Sequence, residues 1–517
     1  MKITTMLTVF IGLLTANLYA QNQFNIINFG AVADDKTVST IAIQKTIDSC
    51  SKMGGGTVYF PKGIFTTGTI QLRSNINLNF AAGSVLKGSP NVNDYKLDGI
   101  KRGMFFGEDL TNVSFTGEGE INGNAVVFFD PNKMHSYIDM DKKYVRSGQA
   151  FLDAVKPTEG PIAFANRPDM MVVIMHSENI KFTGLRFTDA PAWTIRIGEC
   201  QNVVVDGISV LNNPQVPNND GIHFTNSRNV RISNCNVEAG DDALIVSGFG
   251  DDINIDNVPY GSAKKVYKYG NKTGNTENVV ATNCILKSNS AAIRIGYGRG
   301  NIKNLVFSNM IMHNSNRGIL MNSRERGSIE NVLFDNCIIE TKHQGGSWWG
   351  RGEPIHISSC QITKDEVNGT IKDVVFKNLK INAETGIVVW ANEFGKISNI
   401  NFDNIDIQVT DGKRVAAFGG NIDLRPTPDL STNLFKRDLP IILFHNIDQV
   451  RLNAVFAKFL GVVPDYYTHG LEIDYSSNFS ITNSNFTSSA KKYAATLVNK
   501  SKAVSFKNNS DFEIKTQ

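Results

Sequence analysis

Glu178-Asn179-Ile180-Lys181-Phe182-Thr183-Gly184, Gln201-Asn202-Val203-Val204-Val205-Asp206-Gly207 and Arg228-Asn229-Val230-Arg231-Ile232-Ser233-Asn234 are three versions of one phrase. Each sets a polar residue and Asn before alternating apolar side chains, then closes on Gly or Asn. The phrase returns at Glu277-Asn278-Val279, Lys303-Asn304-Leu305, Glu330-Asn331-Val332 and Ser398-Asn399-Ile400. From Asn179 to Asn331 the steps between its Asn residues are 23, 27, 49, 26 and 27. Alternation of period two marks short strands, and a short strand cannot bury its apolar face alone. Stacked coils bury it together, so the repeat predicts an all-β solenoid, a parallel β-helix. The step of 49 reads as one coil carrying an insertion over roughly residues 249–275. Asn at the corners tolerates left-handed backbone and can hydrogen-bond to the Asn of the next coil.

Outside the repeat, residues 40–51 carry Ile41, Ala42, Ile47 and Cys50 at helical spacing before the Gly54-Gly55-Gly56 stop. This helix is expected to cap the first coil, whose open edge would otherwise invite aggregation. Lys2, the apolar run of residues 6–14 and Leu18-Tyr19-Ala20 have the form of a secretory signal cleaved after Ala20. Residues 1–20 are therefore expected to be removed. Residues 21–517 would form a single β-helix domain, periplasmic or secreted, with irregular stretches at 130–165, 249–275, 341–353 and 411–440 as candidate cleft walls. The apolar run is too short for a membrane span, and no later segment qualifies. A formal charge of +3 over 517 residues gives no reason to expect nucleic acid or an anionic membrane as partner.

Six cysteines are present, and Cys235, Cys284 and Cys337 each follow Asn at the same point of the repeat. That position predicts buried thiols stacked in a core ladder rather than bridges. No Cys-x-x-Cys occurs and no His accompanies them, so neither a metal nor a cofactor is expected.

Two short runs carry the chemistry: Asn218-Asn219-Asp220-Gly221 and Gly240-Asp241-Asp242-Ala243. Asp220 and Asp241 are 21 residues apart, about one coil, so the repeat stacks three carboxylates in one patch. Crowded carboxylates cannot all ionise comfortably, which raises the pKa of at least one and suits acid/base cleavage of a glycosidic bond. Turn chemistry alone also favours Asp-Gly at a corner, and the same trio has the oxygen donors for calcium.

With these residues in place, the chain resembles glycoside hydrolase family 28, the polygalacturonase-like enzymes. The likeness begins at Phe29-Gly30-Ala31 and Gly55-Gly56-Thr57-Val58-Tyr59-Phe60-Pro61. It continues through Gly117-Glu118-Gly119-Glu120-Ile121-Asn122-Gly123, Arg167-Pro168 and Pro191-Ala192-Trp193-Thr194, then both aspartate runs. The resemblance implies a right-handed β-helix and an inverting hydrolase of a polysaccharide or oligosaccharide. In it Asp241 protonates the leaving oxygen while Asp220 and Asp242 position and deprotonate water.

The chain also departs from that family. Where the family has Gly-His-Gly, Ser290-Ala291-Ala292 precedes Ile293-Arg294-Ile295-Gly296; where it has Arg-Ile-Lys, Leu320-Met321-Asn322 follows Arg317-Gly318-Ile319. The family's Tyr has no counterpart around Cys360-Gln361. These departures leave the sugar open between a pectin-type polymer and a neutral or sulfated glycan, with a non-catalytic carbohydrate-binding β-helix as a third reading. Candidate substrate contacts are Asn218, His223, Arg294, Trp348 and Trp349, with Arg196 a further cation near the cleft. His223 falls on the cleft side because Ile222 and Phe224 take the core positions. Trp348 and Trp349, in a Gly-rich stretch, either stack on sugar rings or pin a loop to the solenoid. Asp423-Leu424-Arg425-Pro426 and Asp465-Tyr466-Tyr467-Thr468-His469 are candidates for a wall closing one end.

Overall fold

The computed structural model describes residues 23–135, 142–154, 160–250, 270–271, 273–346, 348–361, 365–425, 433–509 and 513–516. The leader reading and most of the insertion at 249–275 lie outside them. The fold is a right-handed parallel β-helix. A typical coil contributes three strands, such as Glu178–Thr183, Arg186–Thr188 and Ile195–Gly198. The first two belong to a 23-stranded sheet and the third to a 14-stranded sheet. From Ile302–Ser315 onward the first two strands often merge into one bent strand.

Register bears out the repeat. Val203 pairs with Val230, Val230 with Val279, Val279 with Leu305 and Leu305 with Val332. The step of 49 thus joins adjacent coils, as expected of an insertion. The repeat's Asn residues adopt left-handed backbone, with φ of 59° at Asn179, 57° at Asn202 and 55° at Asn229. Each donates its side-chain amide to the Asn before it, from Asn179 on Asn112 at 3.1 Å to Asn331 on Asn304 at 2.9 Å. This ladder satisfies polar groups at corners where a β-branched side chain would be strained.

The interior is a column of like residues. Phe307, Phe334, Phe376 and Phe402 stack with ring centroids 4.8, 5.2 and 4.9 Å apart. All six cysteines are buried free thiols. Cys235 lies against Cys284, and Met310 intervenes before Cys337, so the expected thiol ladder is present with one methionine rung. The helix Thr40–Lys52 turns Ile43, Ile47 and Cys50 inward over the first strands. No helix among the described residues is long and apolar enough to cross a membrane.

Candidate active site

Both aspartate runs occupy the turn that carries each coil from the larger sheet to the smaller one. Gly221 follows Asp220 because the coils approach closely there. A Cβ at 221 would stand 2.3 Å from the carbonyl oxygen of Ala243 on the next coil. Asn219 then fastens the two turns together. Its Oδ1 accepts the N–H groups of Gly240 (2.8 Å) and Asp241 (3.2 Å), while its Nδ2 donates to the Asn213 carbonyl at 2.6 Å. Asp220, Asp241 and Asp242 consequently line one cleft of about 200 Å³.

Arg294 gives the trio its asymmetry. Its Nε lies 2.9 Å from Asp242 Oδ2, and both side chains are largely buried. Asp242 Oδ1 also accepts the Ala291 N–H at 3.0 Å. Burial works against the charge on Arg294, yet Asp242, with Tyr297, Asp220 and Asp241, more than offsets it and holds the guanidinium protonated. Among the described residues, Asp220 and Asp241 have no such pairing. Burial first, then the negative charges of Asp241 and Asp242, raise Asp220 well above the usual carboxylate range. Burial and then Asp242 push Asp241 up to about 7, opposed by Arg294 and by backbone hydrogen bonds. Asn218, at φ 53°, donates its Nδ2 to Asp241 Oδ2 at 3.4 Å. Behind it, Arg167 donates to the carbonyls of Pro191 and Pro217 at 2.6 and 2.7 Å, tying three coil corners together.

The remaining expected contacts divide. Trp348 and Trp349 line the cleft, Trp348 almost wholly buried and Trp349 partly exposed, so the loop is both pinned and cleft-facing. His223 does not reach the cleft. It points to that side as its strand register requires, but it is fully buried beneath Trp193, with ring centroids 4.0 Å apart. Its Nε2 sits 3.2 Å from Ser247 Oγ and 3.4 Å from Arg294 Nη2. Burial and the nearby arginines keep the imidazole pKa well below its usual value, so His223 supports Arg294 from below as a neutral ring. Arg196 is likewise buried, its guanidinium 5.3 Å from the Trp193 ring centroid.

His135, Pro161, Phe164 and Phe249 reach the cleft from the stretches at 130–165 and 249–275. The described residues of the stretch at 411–440 do not line it. Asp423 is buried behind the Trp loop, paired with Arg425 at 2.6 Å and accepting the Gly350 N–H at 3.1 Å. Tyr466 and Tyr467 are buried in packing and build no end wall lining the cleft. Tyr297 and Trp193 were missed as site residues. Tyr297 sits between two glycines directly after the Arg294 strand, and that Gly-flanked aromatic was the available signal. Among the described residues, no three His, Cys, Asp or Glu side chains gather as metal ligands would.

A parallel β-helix with three carboxylates converging in an aromatic cleft defines a carbohydrate-active class of protein. The family model for glycosyl hydrolases family 28 matches residues 50–328, more than half of the chain, and the protein belongs to that family. A probable polygalacturonase of Vitis vinifera is 26% identical over 325 residues, covering 56% of this chain and 60% of the relative. An exo-poly-alpha-D-galacturonosidase of Dickeya chrysanthemi is 26% identical over 258 residues, covering 44% and 42%. The chain thus spans about half the length of these two relatives. Among solved structures, the Yersinia enterocolitica family 28 exopolygalacturonase superposes with TM-score 0.60 at 18% identity, covering 90% of this chain and 78% of that one. The Thermotoga maritima exopolygalacturonase gives 0.56 at 22% identity, covering 75% and 87%.

Proposed function

We propose that this protein is an inverting glycoside hydrolase acting on a pectin-type or related polysaccharide, exported to the periplasm or outside the cell. The observation that carries this reading is the split within the trio: Asp242 is paired with Arg294, while Asp220 and Asp241 are both raised. Near neutrality the last two cannot both ionise, so one proton is shared between them. With that proton on Asp241, the residue is a general acid of about the right strength to protonate a leaving oxygen at neutral pH. Asp220 and Asp242 then hold and deprotonate the attacking water. Trp193, Tyr297 and Trp349 supply ring faces on which a sugar stacks.

A second reading, a neutral or sulfated glycan, has one observation in its favour. The guanidinium that lines the cleft, Arg294, is committed to Asp242 and is poorly placed to clamp a substrate carboxylate as well. Digestion of a panel of plant and algal polysaccharides, read by mass spectrometry and by NMR of the first-formed anomer, tests both. The proposal expects water-added reducing ends of inverted configuration. Unsaturated ends, retained configuration, or binding without cleavage would each overturn it.

A further inference from the structure

Two loops leave the solenoid on either side of the carboxylates. The first lies between the strands Glu120–Asn122 and Val172–Met175, the second between Ile329–Thr341 and Ile355–Ser359. Asp220 and the Asp241–Asp242 pair precede Ile222–Thr225 and Leu244–Ser247, strands that lie between these two loops. From Val172–Met175 to Ile355–Ser359 the smaller sheet takes six steps through adjacent strands. At about 4.8 Å a step, the loops are based roughly 29 Å apart along the axis. Their tips nevertheless touch. A Cβ at Gly346 would stand 2.6 Å from Gly160 Cα and 3.2 Å from Pro161 Cδ. Glycine permits both this approach and the φ of 85° at that position. Pro161, beside one tip, and Trp348, close to the other, both line the cleft, so the junction stands at the site itself.

Both loops are anchored. Ile162 donates its N–H to the Gln215 carbonyl at 2.9 Å and packs with Ala125, Phe129 and Val216. Earlier in the first loop, Phe151 meets Phe418 edge-on with ring centroids 4.9 Å apart, and the Arg351 guanidinium lies 5.8 Å from the Phe151 centroid. The Arg146 N–H donates to Asn421 Oδ1 at 2.7 Å, and its guanidinium pairs with Asp438 at 2.7 Å. The first loop therefore reaches from the coils before the carboxylates to residues beyond Lys396–Thr410, touching the second loop on the way.

We propose that the two loops form a bridge that makes this protein attack a glycan from a chain end. The inference rests on the glycosidase reading of the cleft and deepens it. A solenoid face without such loops is an extended surface on which a polymer can settle at any internal linkage. Here a polymer lying along the axis runs into the joined tips, so it has to enter by an end. The cleft they leave encloses about 200 Å³, below the roughly 300–1,000 Å³ of pockets that enclose a drug-sized ligand. That is room for a single sugar ring rather than a run of rings. Gly160 and Gly346 touch no reacting atom. They act by exclusion, because only their lack of side chains lets the tips close.

The test incubates the parent protein with polygalacturonate, a rhamnogalacturonan and an algal galactan, following viscosity and new reducing ends together. Oligomers of each, tagged at the reducing end, are digested in parallel. Chain-end attack is expected to give one short product from the first time point, with viscosity lost only after extensive cleavage. The tag shows which end enters: it stays on the long fragment if the far end is attacked and leaves on the short one otherwise. Gly346→Leu has to part the tips and is expected to raise the viscosity lost per bond cleaved severalfold. Products of many intermediate lengths from the parent at early times would overturn the bridge. So would an unchanged product pattern from a Gly346→Leu protein whose circular dichroism matches that of the parent; if that variant does not fold, the parent's product series decides. Failure of the hydrolase reading would show separately, as no new reducing ends from any of the polymers, and would take the inference with it.

Discussion

A guanidinium 2.9 Å from one of three clustered carboxylates divides their chemistry. Removing it should therefore do more than remove a contact. In Arg294→Gln, Asp242 loses its counter-charge and competes for the proton that Asp241 needs. Turnover is expected to fall about 10²–10³-fold in steady-state assays, the cost of one electrostatic stabiliser in a water-poor site. Arg294→Lys should recover only part, because a point charge does not reproduce a planar fork. The raised carboxyl of Asp241 also fixes two pH dependences. As the acid, it works while protonated, so turnover should decline as pH rises through about 7. For stability the folded chain holds a proton that the unfolded chain releases near the ordinary value of 3.8, so stability falls as pH rises from there through about 7. Asp241→Asn should therefore melt higher than the parent, with a larger gain at pH 8 than at pH 5 in thermal scans. The three acids were legible from their spacing. The role of His223 was not, since alternation fixes which face a side chain takes but not what lies over it.

The loop bearing Trp348 and Trp349 is a wall whose backbone is held by buried side chains. Asn316 donates to the Trp349 carbonyl at 3.0 Å and accepts the Gly352 N–H at 3.1 Å. Asp423 takes the Gly350 N–H, and Glu353 takes the Arg351 N–H at 2.6 Å while pairing with Arg317 at 3.3 Å. Sequence could show a Gly- and Trp-rich loop but not its anchors, because Asp423 lies 73 residues beyond Gly350 with no periodic relation to it. Breaking the anchor leaves Arg425 and Arg351 short of their counter-charge in the interior. Asp423→Asn is thus expected to cost about 3–5 kcal/mol in denaturant unfolding. Trp349→Ala, by contrast, should leave the unfolding midpoint almost unchanged and raise KM by about tenfold, the loss of one stacking face.

At the scale of the whole molecule, the solenoid makes catalysis a property of stacking. Asp220 and Asp241 meet only because successive coils hold register, and the Asn ladder and phenylalanine column enforce it. This part of the fold was written plainly in the sequence, since every coil repeats the same instruction. Insertions do not repeat, and of the four irregular stretches 130–165, 249–275 and 341–353 contribute residues that line the cleft, whereas the described residues of 411–440 do not. The helix Thr40–Lys52 protects the first coil. A chain lacking residues through Lys52 should aggregate at concentrations where the parent stays dispersed, as light scattering would reveal. The central claim remains that stacked coils deliver a protonated aspartate to a glycosidic bond. Its most direct measurement is the turnover of Asp241→Asn beside the parent protein on whichever polysaccharide the parent degrades. A loss of about 10²–10⁴-fold with an intact fold by circular dichroism is predicted; turnover close to that of the parent would contradict it.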